Sequence, residues 1–569
     1  MKKIRFSLLS LLCLLIACSK EQAPNLAEIH LDQEEQTYVL GPNINDKLTI
    51  SFSSTENWQA KIDADWAILT PSKGEAGRSE ISVLAKKENN SGEKRRAILT
   101  IYSQTVQEDI TIEQDQKDII NLSNTQFTLT AEKQNLTIAF ESNLEGCKFD
   151  ISSSSQTGME WITIQSGSTK SLKQDELTLS IEANDKRKER KASLIIQGFD
   201  PTDGSVRAHS QLITITQSAA PVGISTDYSQ DKTVVQLQQH SQGNGIPLIF
   251  MGDGFIDKDI ANGYYRQAME KGIDNFFTEE PIKSLREYFD IWYVNAISVN
   301  NAFGDTYSTK FSCRLEGNGS TLIEGNHDKV QEYAMVIPAL QENPNLFKEA
   351  TCIVILNTEE YAGTCYFGFN DGINTLNLAI GYCPMIYGMN DDMFRRVLCH
   401  ECIGHGFSKL LDEYSYQEMG RIPTSEVTNT QQMQEIGWAA NVDFTNDRNT
   451  VLWSKFLKDS RYQGKDNYGE TLGIYEGACT YWSGAYRPTN ESMMRSNTHG
   501  FNAPSREAIY KRVMSTAYGE SWKYDYEEFV TFDQAHLPTP TEAATRATYE
   551  EIAKPFTPPV FTNKTIYIE

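Results

Sequence analysis

Between residues 47 and 113, apolar and polar positions alternate in short runs at 47–53, 80–85, 97–102 and 109–113, with polar turns between them. Alternation over four to eight residues at this spacing predicts half-buried strands of a sandwich. The pattern then repeats. The first copy carries Trp58, Asp65-Trp66, Pro71, Gly74, Asn89-Asn90, Arg95-Arg96 and a closing Thr111-Ile112-Glu113-Gln114. The second carries Glu160-Trp161, Asn184-Asp185, Arg190-Lys191 and a closing Thr214-Ile215-Thr216-Gln217, without the Pro and Gly of the first. Two copies of about a hundred residues each predict two separate immunoglobulin-like sandwiches. Trp66 and Trp161 read as core anchors, with sugar-stacking platforms as the alternative.

Near residue 220 the texture changes. An apolar run at 246–251 enters the turn Gly252-Asp253-Gly254, a helix is expected over 257–277, and strands over 288–298 and 350–357. A further helix is expected over 393–408. Strands alternating with helices predict an α/β or α+β domain. Asn370-Asp371-Gly372 lacks the further spaced carboxylates of a calcium loop and reads as a simple turn. The expected organisation is a signal at 1–17, a tether at 18–30, sandwiches at 31–117 and 118–220, and a catalytic domain at 221–569.

The first residues combine a basic start (Lys2, Lys3, Arg5) with an apolar run over 6–16, the pattern of a secretory signal too short to span a bilayer. Leu15-Ile16-Ala17-Cys18 resembles a lipobox, which implies lipid on Cys18 and an outer-membrane or cell-surface lipoprotein, the periplasmic face staying open. The formal charge is −24, from 52 Lys+Arg against 76 Asp+Glu. Phosphate-backbone binding needs clustered positive charge, so a nucleic-acid partner is disfavoured. Of ten cysteines, Cys13 belongs to the signal and Cys18 to the anchor, and seven of the remaining eight follow residue 300. Export permits disulfides, but spacing assigns no partners.

The chemistry concentrates at residues 400–414, His-Glu-Cys-Ile-Gly-His-Gly-Phe-Ser-Lys-Leu-Leu-Asp-Glu-Tyr. Two histidines bracket a glutamate, and carboxylates follow. That is the inventory of a catalytic zinc site: three protein ligands, one open position and a general base. The chain holds only eight histidines, which makes this pairing informative. Yet His400 and His405 are five apart, where the usual H-E-x-x-H helix sets them four apart. In a regular α-helix five residues diverge by about 140° and four by about 40°. A single wide π-type turn restores alignment, with Gly404 and Gly406 supplying backbone freedom. His400 and His405 are therefore candidate zinc ligands and Glu401 the candidate base. Asp412 is favoured as third ligand over Glu413; whichever does not ligate would accept a histidine N–H. Cys399 and Cys402 read as packing or a disulfide rather than thiolate ligands. Tyr486, Arg487 and His499 are unranked candidates for oxyanion stabilisation.

Residues 25–220 resemble BACON modules, with a Trp before a small turn, a later Asn with a basic residue, and a strand ending in Gln. The resemblance implies carbohydrate or mucin contact; a rigid spacer is the other reading. His405–Tyr414, Ile249–Phe255, Ser492-Met493-Met494-Arg495 and Asn502–Glu507 resemble the IgA-peptidase family of zinc metallopeptidases. The H-E-x-x-G-H form is similar to that of dipeptidyl peptidase III, whose five-spaced histidines bind zinc. Ser492-x-Met494 also resembles the Met-turn of metzincins, an ordinary core methionine pair being the alternative; Ser408 stands where those enzymes place Gly. Together these resemblances imply two immunoglobulin-like all-β sandwiches followed by a zincin-like metallopeptidase domain. The expected function is a lipid-anchored zinc endopeptidase acting on extracellular, host or mucin proteins. The competing reading is a glycan-binding adhesin whose peptidase domain is inactive.

Overall fold

The computed structural model describes residues 27–33, 37–144, 147–153, 161–168, 175–200, 202–538 and 557–567. The signal and lipobox positions lie outside them. Among the described residues no helix is long and apolar enough to cross a membrane. The chain divides into two compact units at Ala220/Pro221.

The first unit holds two sandwiches. In the first, strands Ile29–Leu31, Lys47–Ser54, Gly77–Ala85 and Ala67–Thr70 form one sheet. Thr37–Leu40, Gln107–Gln114, Arg95–Tyr102, Trp58–Ile62 and Lys73–Gly74 form the other. Ile29 and His30, expected in the tether, thus pair with Ser54 and Ser53 as an edge strand. The strict alternation explains the core: Ile50 and Phe52 point inward with Ile81, Val83, Leu99 and Ile112, while their strand neighbours face out. The second sandwich repeats the plan, its sheets ordered from Ile120–Leu122 through Gln134–Ser142 and Asp175–Ile181 to Ile162–Ser168, and from Gln126–Leu129 through Ile213–Gln217 and Arg190–Phe199 to Cys147–Ser153.

The repeated Asn, Arg and Gln have one shared task. Asn89 donates to the carbonyls of Glu93 and Asp115, Arg95 to Gln114 Oε1, and Gln114 Nε2 to the carbonyl of Gly41. In the second copy Asn184 donates to Lys188 and Ser218, Arg190 to Gln217, and Gln217 to Ala131. Buried polar atoms are costly unless satisfied, so the three residue types recur together. Trp66 and Trp161 are 7% and 5% exposed, under the guanidinium groups of Arg95 and Arg190. They are core anchors and offer no open ring face to a sugar.

The second unit is built on a seven-stranded sheet. Its strands are β1 (Val234–Gln238), β2 (Ile246–Asp253), β3 (Phe289–Val294), β4 (Thr351–Leu356), β5 (Thr364–Phe367), β6 (Ala379–Pro384) and β7 (Val560–Phe561). The order is β1-β3-β2-β4-β6-β5-β7. The centre is parallel, and β5 runs antiparallel to β6. A parallel centre needs cover on both faces, and β2 and β4 are accordingly buried along their whole length and mostly apolar. Leu248 and Phe250 enter one core with α1 (Tyr264–Phe276) and the helices around the candidate site, whereas Ile249 and Met251 enter the other with Val330 and Tyr333. The helix expected over 257–277 breaks at Gly263, whose φ of 82° ends one short helix and opens α1. Asp253 is buried and accepts from the amides of Phe311 and Cys313, so Gly-Asp-Gly is a structural turn. Asp371 accepts from the amides of Ile373 and Asn374, closing the turn expected there.

Candidate metal centre

Asp391 caps α2 (Asp392–Leu398) by accepting from the amide of Met393. The helix continues from Cys399 to Phe407 with π geometry. Here the wide pitch extends over nine residues rather than one turn, and the amide of Ser408 closes it on the carbonyl of Ile403, five residues back. Residues five apart are then successive rungs of one face. Neither Gly404 nor Gly406 has positive φ, so conformational freedom is not their role. A Cβ on Gly404 would lie 2.2 Å from Met494 Sδ, and one on Gly406 3.2 Å from the Glu401 carbonyl. They give clearance. Beyond the helix, Lys409 Nζ donates to the helix-end carbonyl of Gly406 and to the loop carbonyl of Asn377.

Three donor atoms converge. His400 Nε2 lies 3.0 Å from His405 Nε2, and Asp412 Oδ1 lies 3.1 Å from the former and 3.2 Å from the latter. His400 Nδ1 donates to the carbonyl of Met493 at 2.9 Å, and His405 Nδ1 to that of Leu410 at 2.7 Å. Those bonds fix both rings with Nε2 as the lone-pair nitrogen. Three acceptors therefore face one another in a fully buried place, which is unfavourable unless positive charge sits among them. Burial alone would lower the pKa of His400, but its hydrogen bond to Asp412 and the charges of Glu401 and Asp412 lift it to about 9. Positive charge is favoured there. A tetrahedral ion with bonds of about 2.0–2.1 Å sets its ligands about 3.3–3.4 Å apart, close to the spacing here. The donor set fits a divalent metal.

Glu401 stands outside this triangle. Its carboxylate is fully buried, and neither oxygen has a well-formed hydrogen bond, although the Cys365 amide lies near. Burial pushes it up to about 7, against the pull of His405 and His400. Gly363 makes room: a Cβ there would sit 3.2 Å from Glu401 Oε1.

The alternative third ligand is placed elsewhere. Glu413 accepts from Asn441, Ser492 and Asn502, and takes no histidine N–H. It ties the turn after the helix to the Ser492-Met493-Met494 segment, whose Met494 carbonyl accepts from the Glu413 amide. The methionine pair therefore braces the metal helix twice, by the Met493 carbonyl on His400 and the Met494 thioether against Gly404. Arg487 donates to the carbonyls of Glu476 and Gly477, His499 bonds Thr498, and the backbone of Tyr486 pairs with Asp443. None of the three belongs to the triangle. Tyr414, which sequence reasoning did not single out, donates its hydroxyl to Asp412. The carbonyls of Leu410 and Met493 were also missed, since backbone acceptors carry no side-chain signal. Seven cysteines of this unit are free thiols. Cys402 packs on Cys383 with sulfurs 3.5 Å apart, and Cys399 contacts the Asn275 carbonyl, so neither ligates nor bridges.

Residues 235–462 match the family model described as IgA Peptidase M64. The second unit carries an M64 peptidase domain. The matched segment contains the whole acceptor triangle and Glu401. In the first unit, residues 28–117 match the Viral BACON domain model and 151–218 the BACON model described as a putative N-terminal binding domain. No curated protein matches the chain. Among solved structures, a Bacteroides ovatus GH5 xyloglucanase in complex with a XXXG heptasaccharide is 14% identical over 18% of this chain and 22% of its own, with a TM-score of 0.15. The chain thus spans about a fifth of that enzyme. Human protocadherin-24 EC1-2 is 7% identical over 35% of this chain and 100% of its own, with a TM-score of 0.24. A protein of unknown function from Porphyromonas gingivalis W83 is 11% identical over 33% and 99%, with a TM-score of 0.15.

Proposed function

We propose that this M64 protein is a secreted zinc metallo-endopeptidase, with His400, His405 and Asp412 holding the ion and Glu401 acting as base. The carrying observation is the convergence of three acceptor atoms at 3.0–3.2 Å beside a buried carboxylate without a well-formed hydrogen bond. Zinc, when bound, supplies a positive charge that lowers the pKa of water towards about 7. Glu401 takes the proton of the attacking water on a carboxylate oxygen and delivers it to the leaving amine nitrogen. The Met493 and Leu410 carbonyls hold the imidazoles in register, and Tyr414 steadies Asp412. The rival reading, an adhesin with an inactive peptidase domain, drew on the five-residue spacing; π geometry removes that support.

Chelation tests the metal. Removing a ligand held at a thousandfold above its Kd costs about 4 kcal/mol. For a unit of this size that lowers the Tm by about 5 °C. Dialysis against a chelator should produce that drop and end proteolysis, and stoichiometric zinc should reverse both. A metal-free protein that melts unchanged and still cleaves would sink the assignment. Sequencing of new termini after incubation with host secretions would then name the substrate, for which host or mucin glycoproteins are the candidates.

The BACON matches support carbohydrate or mucin contact by the first unit, through surfaces other than the two buried tryptophans. The lipobox supports anchoring through Cys18 at the outer membrane or cell surface. Metabolic labelling with a fatty-acid analogue should mark the wild type and fail in Cys18→Ser; equal labelling of both would refute the anchor.

A further inference from the structure

A cavity of about 520 Å³ opens beside the metal triangle, and Asp412 lines both. Three segments carry the apolar residues that matter here. Leu411 leads into the ligand, Met433 and Ile436 come from α3 (Thr424–Glu435) and its end, and Phe561 comes from β7, laid along β5. Phe561 is seated by Gly368, where a Cβ would lie 2.6 Å from its ring. The volume falls within the range of about 300–1,000 Å³ typical of ligand sites. Ile436 and Phe561 are 55% and 49% exposed, apolar surface left at the mouth of a cavity. Among the described residues the lining includes two acids, Asp412 and Glu426, and no basic side chain.

Resting on the peptidase reading, we infer that this cavity is a specificity pocket for a bulky apolar side chain of the peptide substrate, next to the bond that is cut. Continuity through Asp412 puts the occupant beside the reacting bond. The apolar mouth selects aromatic and large aliphatic residues, and the exposed carboxylate of Glu426 disfavours Asp and Glu. Ile436 and Phe561 are the specificity-determining positions, and Phe561 lies outside the segment matched to the M64 model.

The test uses the zinc-loaded full chain and one peptide series that varies a residue flanking the cut bond among Phe, Leu, Gly, Glu and Lys. Burying a large apolar side chain corresponds to about a 10- to 100-fold preference, so kcat/KM for Phe or Leu should exceed that for Gly by this factor, with Glu poorest. Ile436→Glu should cut the Phe-to-Gly ratio by about tenfold and favour the Lys peptide, with zinc content unchanged. Phe561→Ala should lower the same ratio, and it carries the test if the first variant misfolds. Full turnover with unaltered ratios in both variants overturns the pocket alone. Absence of turnover by the zinc-loaded wild type on every peptide and on unfolded protein overturns the peptidase reading as well.

Discussion

Glu401→Gln should lower kcat by about 10²–10⁴-fold, the usual contribution of a positioned general base, while zinc stays stoichiometric. Glutamine keeps the shape of the side chain but cannot take a proton at the atom where glutamate does. Glu401 lies outside the acceptor triangle, so its replacement removes no metal donor. The buried carboxylate has no well-formed hydrogen bond, and an amide that is uncharged is cheaper to bury. The variant should therefore melt no lower than wild type. Turnover, metal analysis and a melting curve on one preparation separate these effects. Near-normal kcat with zinc bound would take the base role from Glu401.

The first unit was largely legible from alternation, because a sandwich strand writes its inward face directly into every second residue. The repeated Trp, Asn, Arg and Gln were visible as a pattern, but their meaning was not. Only the fold brings Arg95 and Gln114 together over the loop that Asn89 closes. In the second unit, β2 and β4 were legible because both faces are buried, whereas β5 and β7 were not singled out. The two-residue β7 lies almost two hundred residues from the strand it pairs with, and such pairings leave no local periodicity.

The site divides in the same way. Five-residue spacing between the histidines implied a wide helix, since no regular turn would serve both rings, and the π segment supplies it. The extent of that segment was not legible, nor was the role of Gly404. That glycine matters because Met494, ninety residues on, occupies the space a side chain would need. The roles of the two carboxylates after the helix were open for a related reason: they are adjacent in sequence, and only distant partners separate them. Asn441, Ser492 and Asn502 gather Glu413 away from the histidines and leave Asp412 to face them.

That separation makes the sharpest paired test. Asp412→Ala removes one of three donors and should cost zinc affinity by more than the 10- to 100-fold typical of residues that only support a ligand. The purified variant should lack stoichiometric metal and turn over no substrate. Glu413→Gln keeps one acceptor oxygen for the three donors but turns an NH₂ towards them. Lost bonds to a charged group cost about 1.5–3 kcal/mol, so the Tm should fall by a few degrees, and metal affinity by no more than the 10- to 100-fold of a supporting residue. Affinity is measured by competition with a coloured chelator, stability by calorimetry. Were Glu413→Gln the variant that loses its zinc while Asp412→Ala keeps it, the ligand roles drawn from the geometry would be reversed. The two carboxylates also differ in electrostatics: His405 and His400 hold Asp412 low against the effect of burial, whereas burial leaves Glu413 raised. Asp412 faces both Nε2 atoms while Glu413 faces neither, so the larger loss of metal belongs to Asp412→Ala.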